Sequence, residues 1–307
     1  MTIIPAILGL PSWQDLQSFI PAGIEFGGVY ALSGVGMVVL YRATGVLNLA
    51  FGAVGAMGAL IAWSLINHNH TSFWLAAVVC ILFAGLLTLA YGMVFGRALA
   101  ARDPLVKAAA TLGLTLVLLG VMDLLWPSSG GQARSITFPT DNSSFQIGQI
   151  QVTYTNVIGV GVGIVITALT AAFLRFTKLG TTMRALANDR EITATLGVPV
   201  ARVEAAAWFG SGVLSGIAGL LLADLDQLDA ATLTFLVISS LAPALIARLR
   251  SIPVTFVAAI VVGVVHSILE ASASLTNYAD MTPFALAVVA LLVLNRRRVI
   301  AVGRVGI

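Results

Sequence analysis

Few residues in this chain carry chemistry, and those that do sit in unusual places. Glu25, Asp123, His266 and Glu270 fall inside long apolar runs. An ionisable group within a bilayer is costly, and by default it marks a pathway, a relay or a paired site. His266 and Glu270 are four residues apart, so they share one helix face. All four lie toward the outer ends of their spans in the topology derived below. Two roles are open to them there, as interfacial anchors or as groups at a pathway mouth. None sits at a midplane, where a proton-coupled secondary transporter needs a titratable relay. Asn48 is the most notable uncharged polar residue inside a span. Its amide is suited either to lining a cavity or to bonding a neighbouring helix.

Other chemistry is missing. No Gly-rich phosphate loop ends in Lys-Ser or Lys-Thr, so ATP is not expected to bind this chain. No zincin helix, paired-cysteine motif or G-x-S-x-G elbow occurs, which argues against a membrane enzyme and leaves no catalytic residue to name. The stretch "NHNH" at residues 67–70 offers two imidazoles in a turn between spans, but no third ligand lies near in sequence. No metal site is expected there. The single cysteine, Cys80, has no intrachain partner and reads as a small core residue.

The elements that must position these groups are membrane helices. Hydrophobic residues make up 59% of the 307, and charged residues 9%, against roughly 25% in soluble chains. Several runs reach the ~20 residues that cross a bilayer as helix. The expected fold is all-α, a polytopic bundle of about eight to nine transmembrane helices in one transmembrane domain, residues 1–307, with a short external hairpin. Nine apolar spans are read at 20–41, 45–66, 74–96, 108–126, 154–174, 205–223, 232–247, 252–271 and 282–295. The second follows Arg42 almost without a loop, so a broken or re-entrant element is open there.

Loop charge sets the orientation, because cytoplasmic loops collect Lys and Arg. Alternating these spans places fifteen of the sixteen basic residues on one side and leaves only Arg134 opposite. This distribution accounts for the net charge of +3 without a nucleic-acid partner. The N-terminus is expected outside and the C-terminus inside. No basic residue precedes Arg42, so no ordinary signal peptide is read. The outer loop 127–153 carries "FQIGQIQVTY", whose alternation around Gly148 and Gln149 predicts a short external hairpin. A sequon at Asn142 falls in the same loop, where an ordinary loop is the favoured reading.

Small residues recur at helical spacing. Gly212 and Gly216, Ser211 and Ser215, and Gly159 and Gly163 are each four apart, and Gly52, Gly55 and Gly58 are three apart. Such spacing lets helix backbones approach closely. Tight packing is the favoured reading over surfaces that slide around a pathway.

One segment breaks the apolar pattern. Residues 181–203 with Glu204 carry six ionised groups: Arg184, Asp189, Arg190, Glu191, Arg202 and Glu204. Gly180, Thr181 and Thr182 predict a helix start, and Gly197 followed by Pro199 predicts a stop. Met183, Leu186, Ala187, Ile192, Ala194 and Leu196 supply a small apolar face rimmed by charge. A solvated loop helix or a docking element for a cytosolic partner fits this composition.

The string "MRALANDREITATLGVPVARV" resembles the cytoplasmic loop of ABC-importer permeases of the branched-chain amino acid type. Arg184, Ala185, Ala187, Asp189, Ala194, Gly197, Val198, Arg202 and Val203 carry the likeness. "GGVYALSGVGMVVLYRATGVLNLAFGAVGAMGA" resembles the first two spans of that family, and "FGSGVLSGIAGLLL" and "SIPVTFVAAIVVGVVHSILEA" resemble later ones. The likeness covers most of residues 20–300. It implies a permease paired with a homologous second permease, two ABC ATPase subunits and an extracytoplasmic solute-binding protein in a bacterial cytoplasmic membrane. ATP and Mg would bind the partner ATPases, and this chain would hold no cofactor. Met183, Arg184, Ala185, Ala187, Asp189, Arg190, Ala194 and Gly197, within the loop 175–204, would form the ATPase-coupling element. Asn48, Phe51, Gly52 and Tyr30 would line the translocation pathway, with Glu25, His266 and Glu270 at its mouth. Two departures stand out. Phe51 and Ala53 replace a His and a Glu common in the family, and "ARLRSIP" replaces a glycine-rich stretch. The resemblance implies a branched-chain amino acid or a related small solute, and these departures mean that leucine, isoleucine or valine is not to be assumed. A stand-alone channel or facilitator, for example for urea or amides, is the alternative.

Overall fold

The structure is a computed structural model. It describes residues 13–100, 102–127, 134–140, 144–147, 150–225, 228–272 and 274–302. The elements are α1 (Trp13–Thr44), α2 (Phe51–Asn69), α3 (Phe73–Ala100), α4 (Pro104–Leu125), strands β1 (Ser144–Ile147) and β2 (Ile150–Thr153), then α5 (Tyr154–Phe176), α6 (Lys178–Asn188), α7 (Arg190–Thr195), α8 (Val200–Leu225), α9 (Ala230–Ser239), α10 (Leu241–Ile246), α11 (Ile252–Glu270) and α12 (Thr282–Val302). A 3₁₀ turn, Thr276–Met281, joins the last two helices.

Seven of the described helices are long and apolar enough to cross a bilayer: α1 to α5, α8 and α11. Two of the nine expected spans fall short. The run 232–247 divides at Ser240 into α9 and α10. Pro243 accounts for the break: it has no N–H to bond the Ser239 carbonyl, and its ring crowds that carbonyl. The final helix keeps a shorter apolar stretch, Thr282–Val293.

Burial orders the bundle. Of the α1 span, 89% is enclosed by the subunit, whereas α4 and α5 are enclosed over 22% of theirs. Helix α1 is the central post, packed on α11, α8 and α5. Glycine makes these contacts possible, since lipid exerts no hydrophobic drive between helices. A Cβ on Gly27 would stand 2.7 Å from the Ile260 Cα, and a Cβ on Gly263 would overlap the backbone of Gly23 and Gly27. The Ser267 hydroxyl donates to the Phe19 carbonyl at 2.9 Å beside this crossing.

A second crossing joins α8 to α2 and α3. Gly219 faces the Gly55 backbone, and the Ser215 hydroxyl donates to the Phe51 carbonyl at 2.5 Å. Gly212 and Gly216 meet Ala84, Gly85 and Ile81 of α3. The Thr88 hydroxyl lies 3.0 Å from the Trp208 carbonyl across the same seam. Cys80 is fully buried here and its thiol points at the Gly216 carbonyl. Gly212 and Gly216 therefore act as close contacts with the α3 backbone.

Strands β1 and β2 pair antiparallel, with Ile147 opposite Ile150. Asn142, Gly148 and Gln149 lie outside the described residues. Arg134 is held in place. Its guanidinium donates to the Trp126 and Pro127 carbonyls at 3.1 and 2.9 Å and lies 5.4 Å from the Trp63 ring centroid.

Candidate functional site

The chain interrupts its helix between α1 and α2. Gly45 takes φ +67°, a conformation that disfavours any side chain, and residues 46–48 are extended or irregular before α2 begins at Phe51. Irregular backbone at membrane depth survives only if its polar groups are satisfied within the protein. Helix α4 satisfies them. The Thr111 hydroxyl accepts from Leu49 N–H at 3.1 Å and lies 2.9 Å from the Leu47 carbonyl. One turn on, the Thr115 hydroxyl lies 3.2 Å from the Leu49 carbonyl. Thr44 continues the pattern by accepting from Val46 N–H at 3.1 Å. Replacing Thr111 by Val keeps the shape but strands a buried N–H. This should cost about 1–3 kcal/mol of stability, read as a lowered unfolding midpoint in detergent. Thr115→Val should cost less.

Asn48 lies inside this break and is 1% exposed. Its Oδ1 accepts from Ala50 N–H at 3.1 Å. Its Nδ2 has no hydrogen-bond partner among the described residues. Phe51 opens α2, fully buried against Gly36. Gly52 and Tyr30 are buried too. These four candidate pathway residues thus sit inside the subunit, not on an open cavity.

The candidate mouth residues separate. Glu25 is buried where α1 meets α5, with its Oε1 3.1 Å from the Cβ position of Gly159. His266 is buried on α11, its ring centroid 5.6 Å from that of Phe26 and 6.2 Å from that of Tyr30. Glu270 and Asp123 are exposed. Although His266 and Glu270 are one turn apart, only His266 is enclosed by α1. The grouping of Phe26, Tyr30 and His266 was not predicted from sequence. It arises from the α1–α11 crossing, which brings together residues some 240 positions apart.

The charged segment is two helices, not one. It begins earlier than the expected start, because the Thr177 hydroxyl accepts from Gly180 N–H at 3.0 Å and caps α6. Gly180 itself lies against the Leu174 backbone, within the first turn. Asp189 breaks the run. It is extended at φ −154°, and its Oδ1 accepts from Ile192 N–H at 2.9 Å to cap α7. Gly197 takes φ +81° and, with Pro199 behind it, ends the segment. Met183 and Leu186 are buried and anchor α6 to the bundle. Ala187, Ala194, Ile192 and Leu196 are exposed, the last two by 60% and 77%. Ala185 is half-buried beside them. Arg184 Nη2 lies 3.3 Å from the Arg175 carbonyl and braces α6 on the end of α5. Arg190 pairs with Glu204 at 2.5 Å and ties α7 to α8.

Beside this segment lies a cleft of about 990 Å³, between the end of α1, the start of α4, α6 and the turn after α10. Arg42, Lys107, Arg190, Arg248 and Arg250 line it, with no carboxylate among the lining residues. Arg248 and Leu249 take φ +54° and +55°. For residues other than glycine that conformation costs roughly 1–2 kcal/mol each. It is tolerated because Arg248 N–H and Leu249 N–H, at 2.8 Å, bond carbonyls of α10.

The model of the family described as "Branched-chain amino acid transport system / permease component" matches residues 20–291, and the chain belongs to that family. Among its relatives, the chain is similar to the high-affinity branched-chain amino acid transport system permease protein LivH of Salmonella typhimurium, at 25% identity over 89% of this chain and 91% of the relative. LivH of Escherichia coli K12 is 24% identical over the same shares. A probable LivH of Methanocaldococcus jannaschii is 25% identical over 82% of this chain and 81% of the relative.

Proposed function

We propose that this chain is the membrane permease subunit of an ATP-driven ABC importer for branched-chain amino acids or a related small solute. Family membership over residues 20–291 carries the reading. The charged two-helix segment supports it, because it turns exposed Ile192 and Leu196 away from the bundle. With no phosphate loop in the chain, the energy must come from outside it.

In this reading the subunit works in a bacterial cytoplasmic membrane with a homologous second permease, two ABC ATPase subunits and an extracytoplasmic binding protein. ATP and Mg belong to the ATPases. The N-terminus faces out and the C-terminus in, which puts α6 and α7 in the cytoplasm and the β1–β2 hairpin outside. The pair α9–α10 and helix α12 then complete nine crossings. Closure of the ATPases moves α7. Arg190 with Glu204, Arg184 and the buried Met183 and Leu186 pass that movement to α8, α5 and α1. The break at residues 45–50 is where α1 and α2 can shift relative to each other, opening Asn48 and Phe51 to the solute.

Mild extraction of a C-terminally tagged chain from its native membrane tests this directly. A stoichiometric ATPase with a phosphate loop is the expected companion. A chain that arrives alone, or only with itself, would be a stand-alone channel or facilitator. A cysteine at position 48 adds a finer test: its labelling should change with ATP and solute. Labelling indifferent to both removes Asn48 from the pathway.

A further inference from the structure

We propose that the cleft beside α6 is an oxyanion site, taking the phosphate or carboxylate of a small anion or of an inner-leaflet lipid headgroup. The proposal rests on the cleft's geometry and charge and does not depend on which solute the subunit carries. Five cationic side chains converge on one cavity of about 990 Å³ whose lining holds no Asp or Glu. Glu204, outside the lining, pairs with Arg190 and also attracts Lys107. Lys107 is 9% exposed, and its Nζ is 3.7 Å from the Cβ position of Gly45. A buried ammonium among guanidinium groups raises the local potential and draws anions into the cleft. Guanidinium forks from Arg42 and Arg250 suit the paired oxygens of carboxylate or phosphate. The left-handed turn at Arg248 and Leu249 leads directly into Arg250 at the cleft. The volume is that of a small-molecule site, too confined for a folded partner.

An occupant would also touch both the central post and the charged segment. Arg42 ends α1, and Arg190 opens α7. An anion held between them ties the charged segment to the central post.

The test uses Ala100→Cys, at the cleft wall, in the full chain reconstituted in nanodiscs. The native thiol, Cys80, is fully buried and supplies a silent background. A negatively charged methanethiosulfonate should react about tenfold faster than a positively charged one of similar size. Arg250→Gln, which alters an exposed residue, and Lys107→Gln should each reduce that preference several-fold. In phosphatidylcholine discs, inorganic phosphate should slow the anionic reagent saturably, beyond sodium chloride of equal ionic strength, if the occupant is a free anion. If only discs containing phosphatidylglycerol give that protection, the occupant is a lipid headgroup. No protection by either, or a preference untouched by Arg250→Gln, overturns the proposal.

Discussion

Placing aspartate at both Ile192 and Leu196 leaves the subunit inserted and folded but cuts solute uptake about a hundredfold, two factors of ten at ~1.4 kcal/mol each. Neither side chain supports the fold, since both are largely exposed on the outer side of α7. Two large apolar groups, rimmed by Asp189, Arg190 and Glu191, are what a central contact on a partner requires. Membrane abundance should hold steady while the ATPase is lost from the co-purified complex. Two further changes separate contact from positioning. Arg184→Glu sets a carboxylate against the Arg175 carbonyl and should loosen α6 without touching the partner surface. Gly197→Val forces a β-branched residue into φ +81° and should misdirect the entry to α8. Both should retain ATP hydrolysis and uncouple it from uptake. Normal uptake in the double aspartate variant would remove α7 from any docking role.

Leucine at Gly263 should prevent a stable subunit from accumulating, whereas leucine at Gly113 should pass unnoticed. Any side chain at Gly263 must displace the backbone of α1 at Gly23 and Gly27, and no rotamer avoids it. The two helices would have to separate along the largest contact of the central post. That loss should exceed the roughly 1–3 kcal/mol usual for an overpacked core. Gly113 is exposed on α4 with nothing within 4 Å of its Cβ position. A leucine there meets lipid and favours the helix. Monodispersity and thermal midpoint in detergent report the difference. Equal behaviour of the two variants would mean that the α1–α11 crossing is not as close as described.

How much of this was open to sequence reading depends on how far apart the deciding residues lie. Spans such as 74–96 and 252–271 show in hydropathy alone, and the stop at Gly197 and Pro199 is written in adjacent residues. Two local signals were available and missed. Pro243 inside the run 232–247 is a helix breaker, and Asp189, three residues before Ile192, is a natural cap. Thr177 is not distinguished from Thr181 and Thr182 in sequence, because a cap and an interior threonine look alike until the end of the preceding helix, at Phe176, is known. The support of residues 47–49 by Thr111 and Thr115 could not be read at all. A threonine in an apolar helix gives no sign of which distant carbonyl it serves. The cleft was half visible: its cations were all placed on one side, but only the fold gathers Arg42, Lys107, Arg190, Arg248 and Arg250 around one space.

The enclosure of α1 also has a consequence during synthesis. Among the candidate spans, α1 has a mean hydropathy of 1.5, against 2.5 for α3 and 2.3 for α11, yet it is the most enclosed. It leaves the ribosome before every helix that will surround it. The start of α11, at Ile252, follows the end of α1, at Thr44, by 208 residues. At the usual pace of translation that is about 10–40 s during which Glu25, Tyr30 and Gly27 face lipid or the insertion machinery instead of their native neighbours. The newborn subunit therefore passes through a stage in which one of its two most polar candidate spans waits in the bilayer for its cover, and membrane proteases have their best access to it then.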